Sequence, residues 1–187
     1  MSATTLATPL PAKDGYTWTI ASLIGRAMQE AEAAYGARDA GYFFAGYEFV
    51  DGVPQLWFPG NANVVVMQLS IEAQENLSRA AFQLSHEVIH LLNPVRAGLA
   101  NVLEEGLATY FQGIFAPEFG NRWISDVPSY IDAQTAVKRL LDMDPQAISR
   151  LRAEEPCLSK ISEDMIRRLC PGVDFGLATA LTARFKR

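Results

Sequence analysis

Ala81-Phe82-Gln83-Leu84-Ser85-His86-Glu87-Val88-Ile89-His90-Leu91-Leu92 is the second half of a run, 71–92, that contains neither glycine nor proline. Leu77, Ala81, Leu84, Val88 and Leu91 recur at helical spacing, and Ala80, Phe82 and Ile89 fall outside that stripe. A helix that is apolar on most of its sides belongs in the interior. Ser70 is expected to cap it and Pro94 to end it. His86, Glu87 and His90 interrupt the apolar surface, so they are expected to be buried, and buried polar groups need partners.

On the N-terminal side, Trp18, Ile20, Leu23, Ile24, Met28, Ala31 and Tyr35 predict a helix over 17–36, with Gly36 as its stop and residues 1–15 as a weakly ordered lead-in. From Tyr42 to Leu69 the texture becomes aromatic and β-branched. Asp51-Gly52 reads as a two-residue hairpin turn, and Pro59-Gly60-Asn61 as a second turn leading to the strand Val64 to Met67. These segments predict a small antiparallel meander, with Pro54 marking an edge strand. On the C-terminal side, helices are expected at 100–115, 128–142, 145–153, 160–169 and 173–185. The fold class is α+β: a small antiparallel sheet packed on a mainly helical body around one central helix. The 187 residues suffice for a single domain, with 145–187 as its C-terminal helical part.

His86-Glu87-Val88-Ile89-His90 is an H-E-x-x-H pentapeptide. Residues i and i+4 lie one turn apart, about 6 Å along the axis and on one face. Two imidazoles so placed can both reach a zinc ion at about 2.0–2.1 Å. Glu87, beside the first histidine, can exchange a proton with water and then with a leaving group. The bland alternative is a chance pentapeptide, a satisfied histidine pair with a solvent-facing glutamate. Against it, the chain's two histidines both fall in this motif, and a candidate third ligand follows. A continuation with Gly at 93 and His or Asp at 96 would supply that ligand in metzincins, but the chain has Asn93 and Arg96. A carboxylate is therefore expected. The loop 93–99, with Pro94 and Gly98, can bring a second helix back against the first. Geometry alone leaves Glu104 and Glu105 both open.

His86 to His90 followed by Glu105-Gly106-Leu107-Ala108-Thr109-Tyr110 resembles the gluzincin metallopeptidases, and in scale the compact minigluzincins, over about residues 62–145. The resemblance implies a zincin-like fold in which His86, His90 and Glu105 bind zinc and Glu87 is general base and acid. It makes Glu104 a residue behind the ligands or on the surface, and Thr109 a candidate to hold a ligand imidazole. With no further histidine available, Tyr130 is the expected oxyanion donor. The strand Asn63 to Gln68 resembles the edge strand along which such peptidases bind substrate backbone, with Trp57 and Phe58 as candidate pocket residues against the commoner role of core aromatics. The G-x-M-E-N motif of aminopeptidases is absent.

The expected function is zinc-dependent hydrolysis of peptide bonds, with a peptide or protein substrate. Its rival is a metal-stabilised binding or regulatory module without turnover. A deformylase-like hydrolase is disfavoured because no cysteine precedes His86. Cys157 and Cys170 read as buried thiols. The net charge of −5 divides into an acidic portion to residue 137 and a basic remainder. No zinc-finger, RNA-binding or phosphate-loop motif accompanies that basic portion, so nucleic acid is not an expected partner. The longest uncharged run, 53–71, contains prolines and amides and does not read as a membrane span. The N-terminus lacks the pattern of a secretory signal, which leads to an expectation of a cytoplasmic protein.

Overall fold

The computed structural model describes residues 19–60, 63–96 and 98–187; the lead-in, Trp18 and Asn61 lie outside these. Helix α1 (Ile20–Tyr35) begins at Thr19, whose side chain accepts from the Ser22 amide while the Ser22 hydroxyl accepts from the Thr19 amide, a reciprocal cap. Strands β1 (Phe43–Val50), β2 (Gln55–Trp57) and β3 (Val64–Ser70) follow. Then come α2 (Leu77–Leu91), α3 (Val102–Phe115), α4 (Pro128–Met143), α5 (Ala147–Glu154), α6 (Glu163–Leu169) and α7 (Phe175–Thr182). The class is α+β, and no helix among the described residues is long and apolar enough to cross a membrane.

The sheet differs from the expected antiparallel meander. Its order is β1-β3-β2, with β1 parallel to β3 and only β2 antiparallel to it. The Asp51-Gly52 turn therefore joins no hairpin. The end of β1 lies beside the end of β3, as Val50 pairs with Ser70, and the chain crosses over to begin β2 opposite Gln68. Burial explains the choice. Val65, Met67 and Leu69 of β3 are all fully buried, whereas β1 has no buried residue, so β3 takes the middle. Pro54, without an N–H, precedes the short edge strand β2, as expected of proline. It also follows that the strand beginning at Asn63 is not an edge.

Helix α2 begins six residues later than the sequence pattern predicts. Ser70 does not cap it, because the Gln83 side chain engages both the Ser70 amide (2.9 Å) and its hydroxyl (2.6 Å). Residues Ile71–Ala73 form a separate 3₁₀ turn, and Asn76 caps α2 through the Arg79 amide at 2.9 Å. From there the helix is interior as expected, with Leu84, Val88 and Ile89 packed in the core that residues of α1, β3, α3 and α7 share. Cys157 and Cys170 are buried and free.

Gly106 of α3 explains why that helix tolerates a glycine in its middle. A Cβ there would stand 2.3 Å from the Ala133 carbonyl oxygen of α4, so the two helices approach as closely as their backbones allow. Gly106→Ala is expected to destabilise the protein by about 3 kcal/mol, because the clash is with backbone and cannot relax by a rotamer change. Urea denaturation measures it, and an unchanged midpoint would contradict the packing described.

Candidate metal centre

The two helices deliver the site by their own periodicity. On α2, His86 and His90 lie one turn apart with ring centroids 5.1 Å apart. On α3, Asn101 caps the helix by accepting the Glu104 amide at 2.9 Å, which places two glutamates in the first turn, facing the histidines. Glu105 Oε2 lies 3.3 Å from His86 Nε2 and 3.8 Å from His90 Nε2. One ligand atom from each of His86, His90 and Glu105 falls within 4.8 Å of the others.

The neighbouring carboxylate turns elsewhere. Glu104, 2% exposed, accepts from His90 Nδ1 through Oε1 at 2.8 Å, and its Oε2 accepts the Ser159 hydroxyl. That bond places the proton on Nδ1 and leaves Nε2 of His90 turned toward Glu105. The alternatives left open by the sequence thus separate: Glu105 faces both imidazoles, and Glu104 holds one of them from behind. Thr109 does not hold a ligand imidazole, because its hydroxyl donates to the Glu105 carbonyl at 2.9 Å.

Whether these residues suit a cation can be judged from Glu105 itself. Its Oε2 is buried and has no hydrogen-bond partner although two ring nitrogens lie close. A carboxylate oxygen in that position is costly unless a cation or donor satisfies it. Two imidazole nitrogens and one carboxylate oxygen are also the donor set of a three-ligand catalytic zinc site. The residues fit the ion. The surrounding field agrees. Burial works against the His90 imidazolium, but the Glu104 hydrogen bond and the Glu105, Glu104 and Glu87 charges together raise its pKa to about 10. Burial opposes the Glu105 carboxylate too, yet the adjoining histidines hold it below the usual carboxylate range.

Glu87 and Tyr130 both reach this place. Glu87, 5% exposed, is pushed above the usual carboxylate range by burial, against the pull of His90 and His86. Tyr130, in the first turn of α4, packs its ring 5.9 Å from that of His86, and burial followed by the Glu105 charge raises its hydroxyl pKa. Two cavities, of about 370 and 330 Å³, meet at His86, Glu87 and Tyr130, with Val53 and Pro54 lining both. The edge beside this cleft is therefore the start of β2 rather than β3. The larger cavity has apolar walls from Phe82, Trp123, Ile124 and Val127; Arg79 lies 4.6 Å over the Trp123 ring. Neither Trp57 nor Phe58 lines it. Trp57 is 46% exposed, and Phe58 faces a separate cavity.

Three contributors were not anticipated from sequence: Ser159, Phe185 and Arg187. All come from the C-terminal part. Phe185 packs its ring, tilted by 49°, against that of Tyr130 with centroids 4.8 Å apart, held by a hydrogen bond from its amide to the Ala100 carbonyl at 3.1 Å, and Arg187 lines both cavities. No local pattern marks them, since each is a lone residue distant in sequence from the histidines.

Comparison of the chain with protein-family models, curated proteins and solved structures finds no match in any of the three.

Glu104→Ala is expected to weaken zinc affinity by about ten- to a hundredfold, since it removes the carboxylate behind His90 without touching a ligand atom. Competition with a metal indicator measures it. An affinity equal to that of the unaltered protein would deny Glu104 this role.

Proposed function

We propose that the chain is a zinc-dependent peptidase of the gluzincin type, with a zincin-like arrangement of its central helix and the helix that follows. The observation that carries this reading is the buried Oε2 of Glu105, which has no well-formed hydrogen bond and faces the Nε2 atoms of both His86 and His90. His86, His90 and Glu105 would hold the ion. Zinc bound there supplies Lewis acidity toward a carbonyl and toward water.

The remaining chemistry belongs to side chains. Glu87 borders both cavities where a scissile bond would lie, and its raised proton affinity suits a group that takes a proton from water and returns it to the departing nitrogen. Tyr130 keeps its phenolic proton and can donate it to an oxygen that gains charge as the carbonyl carbon becomes tetrahedral. The β2 edge offers main-chain groups to an extended peptide, and cavities on both sides of the histidines leave room for chain in either direction. This continuity supports turnover over a binding module that retains a metal for stability alone.

Elemental analysis of purified protein is expected to return about one zinc per chain, on the single three-ligand set found among the described residues. Stripping it with a chelator should lower stability by about 2.7 kcal/mol relative to free zinc at a hundred times its Kd. For a chain of this length that is a fall of roughly 5–10 °C in Tm. A chain that takes up no zinc, and whose Tm ignores it, would overturn the reading.

A further inference from the structure

Beyond the cleft lies a third cavity, of about 590 Å³, on the far side of the loop after α2. It is not isolated. Val95 and Arg96 line both this cavity and the smaller of the two that meet at the histidines, so the two adjoin along the loop after α2. Its character differs from that of the cleft. Arg38, Arg96 and Lys160 all border it, and among the described residues none of the three has a carboxylate within ion-pair distance. Arg96 is held in place, its guanidinium 5.4 Å from the centre of the Phe58 ring, which in turn meets Tyr42 edge to face.

Two carboxylates also line the cavity, but both have partners. Asp39 accepts from the Gly41 amide at 2.7 Å and from Asn93 Nδ2 at 3.0 Å, and Glu155 accepts from the Cys157 amide at 2.9 Å. Backbone and amide donors thus fix both acids in place, and the three cations, none of them in an ion pair, outnumber the two carboxylates around an aromatic floor. A side chain with a carbon stem and a negative end fits that lining: the stem against Phe58 and Tyr42, the charge toward the cations.

We infer that this cavity is a subsite for an acidic residue of the peptide substrate, distant from the scissile bond and reached past Arg96. The inference deepens the peptidase reading and rests on it for the identity of the ligand as a peptide. It gives the substrate two different ends, a bulky apolar side chain beside Phe82 and Trp123 and an acidic one beside Arg38 and Lys160.

The test is binding rather than turnover. The probes are alanine-based peptides of about ten residues, roughly 30 Å when extended. Each carries one phenylalanine, with a glutamate or a glutamine moved through the positions on either side. Affinities are measured by calorimetry on zinc-loaded protein carrying Glu87→Gln. At one group of neighbouring positions glutamate should bind about five- to tenfold tighter than glutamine at low salt. That preference should fade at high salt and vanish in protein that also carries Arg38→Gln and Lys160→Gln. Peptides that bind with no preference at any position, or a preference untouched by those substitutions, would overturn the subsite and leave the peptidase reading standing. A preference seen with peptides that the unaltered protein never cleaves would support the subsite and overturn turnover. If no peptide binds, both fall.

Discussion

Glu87→Gln is expected to lower kcat by about 10² to 10⁴ while zinc content and Tm stay as they are. Glutamine matches glutamate in shape, so the helix and the two flanking imidazoles keep their places. What disappears is the capacity to take up and release a proton at the point where the two cavities meet. In the proposed arrangement Glu87 would not hold the metal, since Glu105 would supply the third donor atom. A loss of zinc along with activity would therefore mean that the carboxylates have been given the wrong roles. Undiminished peptide hydrolysis would remove Glu87 from the chemistry altogether. Both quantities come from the same preparation, by elemental analysis and a peptide cleavage assay.

Arg152→Met is expected to destabilise the protein by about 3 kcal/mol or more, a large part of the roughly 5–15 kcal/mol that holds a domain together. Arg152 is 4% exposed, and among the described residues its guanidinium has no carboxylate partner within ion-pair distance. Instead it donates to the carbonyls of Tyr35, which ends α1, and of Gly36 and Ala37 beyond it, of Leu92 after α2, and of Pro156 after α5, at 2.6–3.3 Å. Carbonyls at helix ends have no intrahelical donor, and here one planar cation with five N–H groups answers for three elements at once. Methionine fills the space and withdraws all five donors; the Leu92 carbonyl keeps the Asp39 amide at 2.8 Å, whereas the buried bond to the Tyr35 carbonyl is lost. Arg152→Lys, with three donors on a compact ammonium, should recover only part of the loss. Urea denaturation of the three proteins gives the order; equal midpoints for arginine and methionine would show that water replaces the guanidinium.

These residues differ in how visible they are before folding. His86, Glu87 and His90 are legible because their geometry is intrahelical: a spacing of four puts both rings on one face whatever the helix packs against. The helices at 128–142 and 145–153 emerged within a few residues of their predicted limits for the same local reason. Strand pairing is not local. The aromatic and β-branched residues from Tyr42 to Leu69 mark that segment as strands, but whether β1 pairs with β2 or passes across β3 depends on which strand the core buries most deeply. Ser70 and Asn76 show the same limit at a helix start. Both are competent caps, and only the reach of Gln83 from the next element removes Ser70 from the competition.

Sequence alone determined that this chain carries two imidazoles on one helix face at a spacing suited to one metal ion, because short-range backbone geometry is the same in every fold. Tertiary structure decided the rest. It turned Glu105 toward both rings and Glu104 behind one, set Ser159 against Glu104, drew Phe185 and Arg187 from the far end of the chain to the cleft, and placed β2 rather than β3 along its edge. Each of those choices is settled by burial and by hydrogen bonds between segments remote in sequence, and neither leaves a periodicity to read.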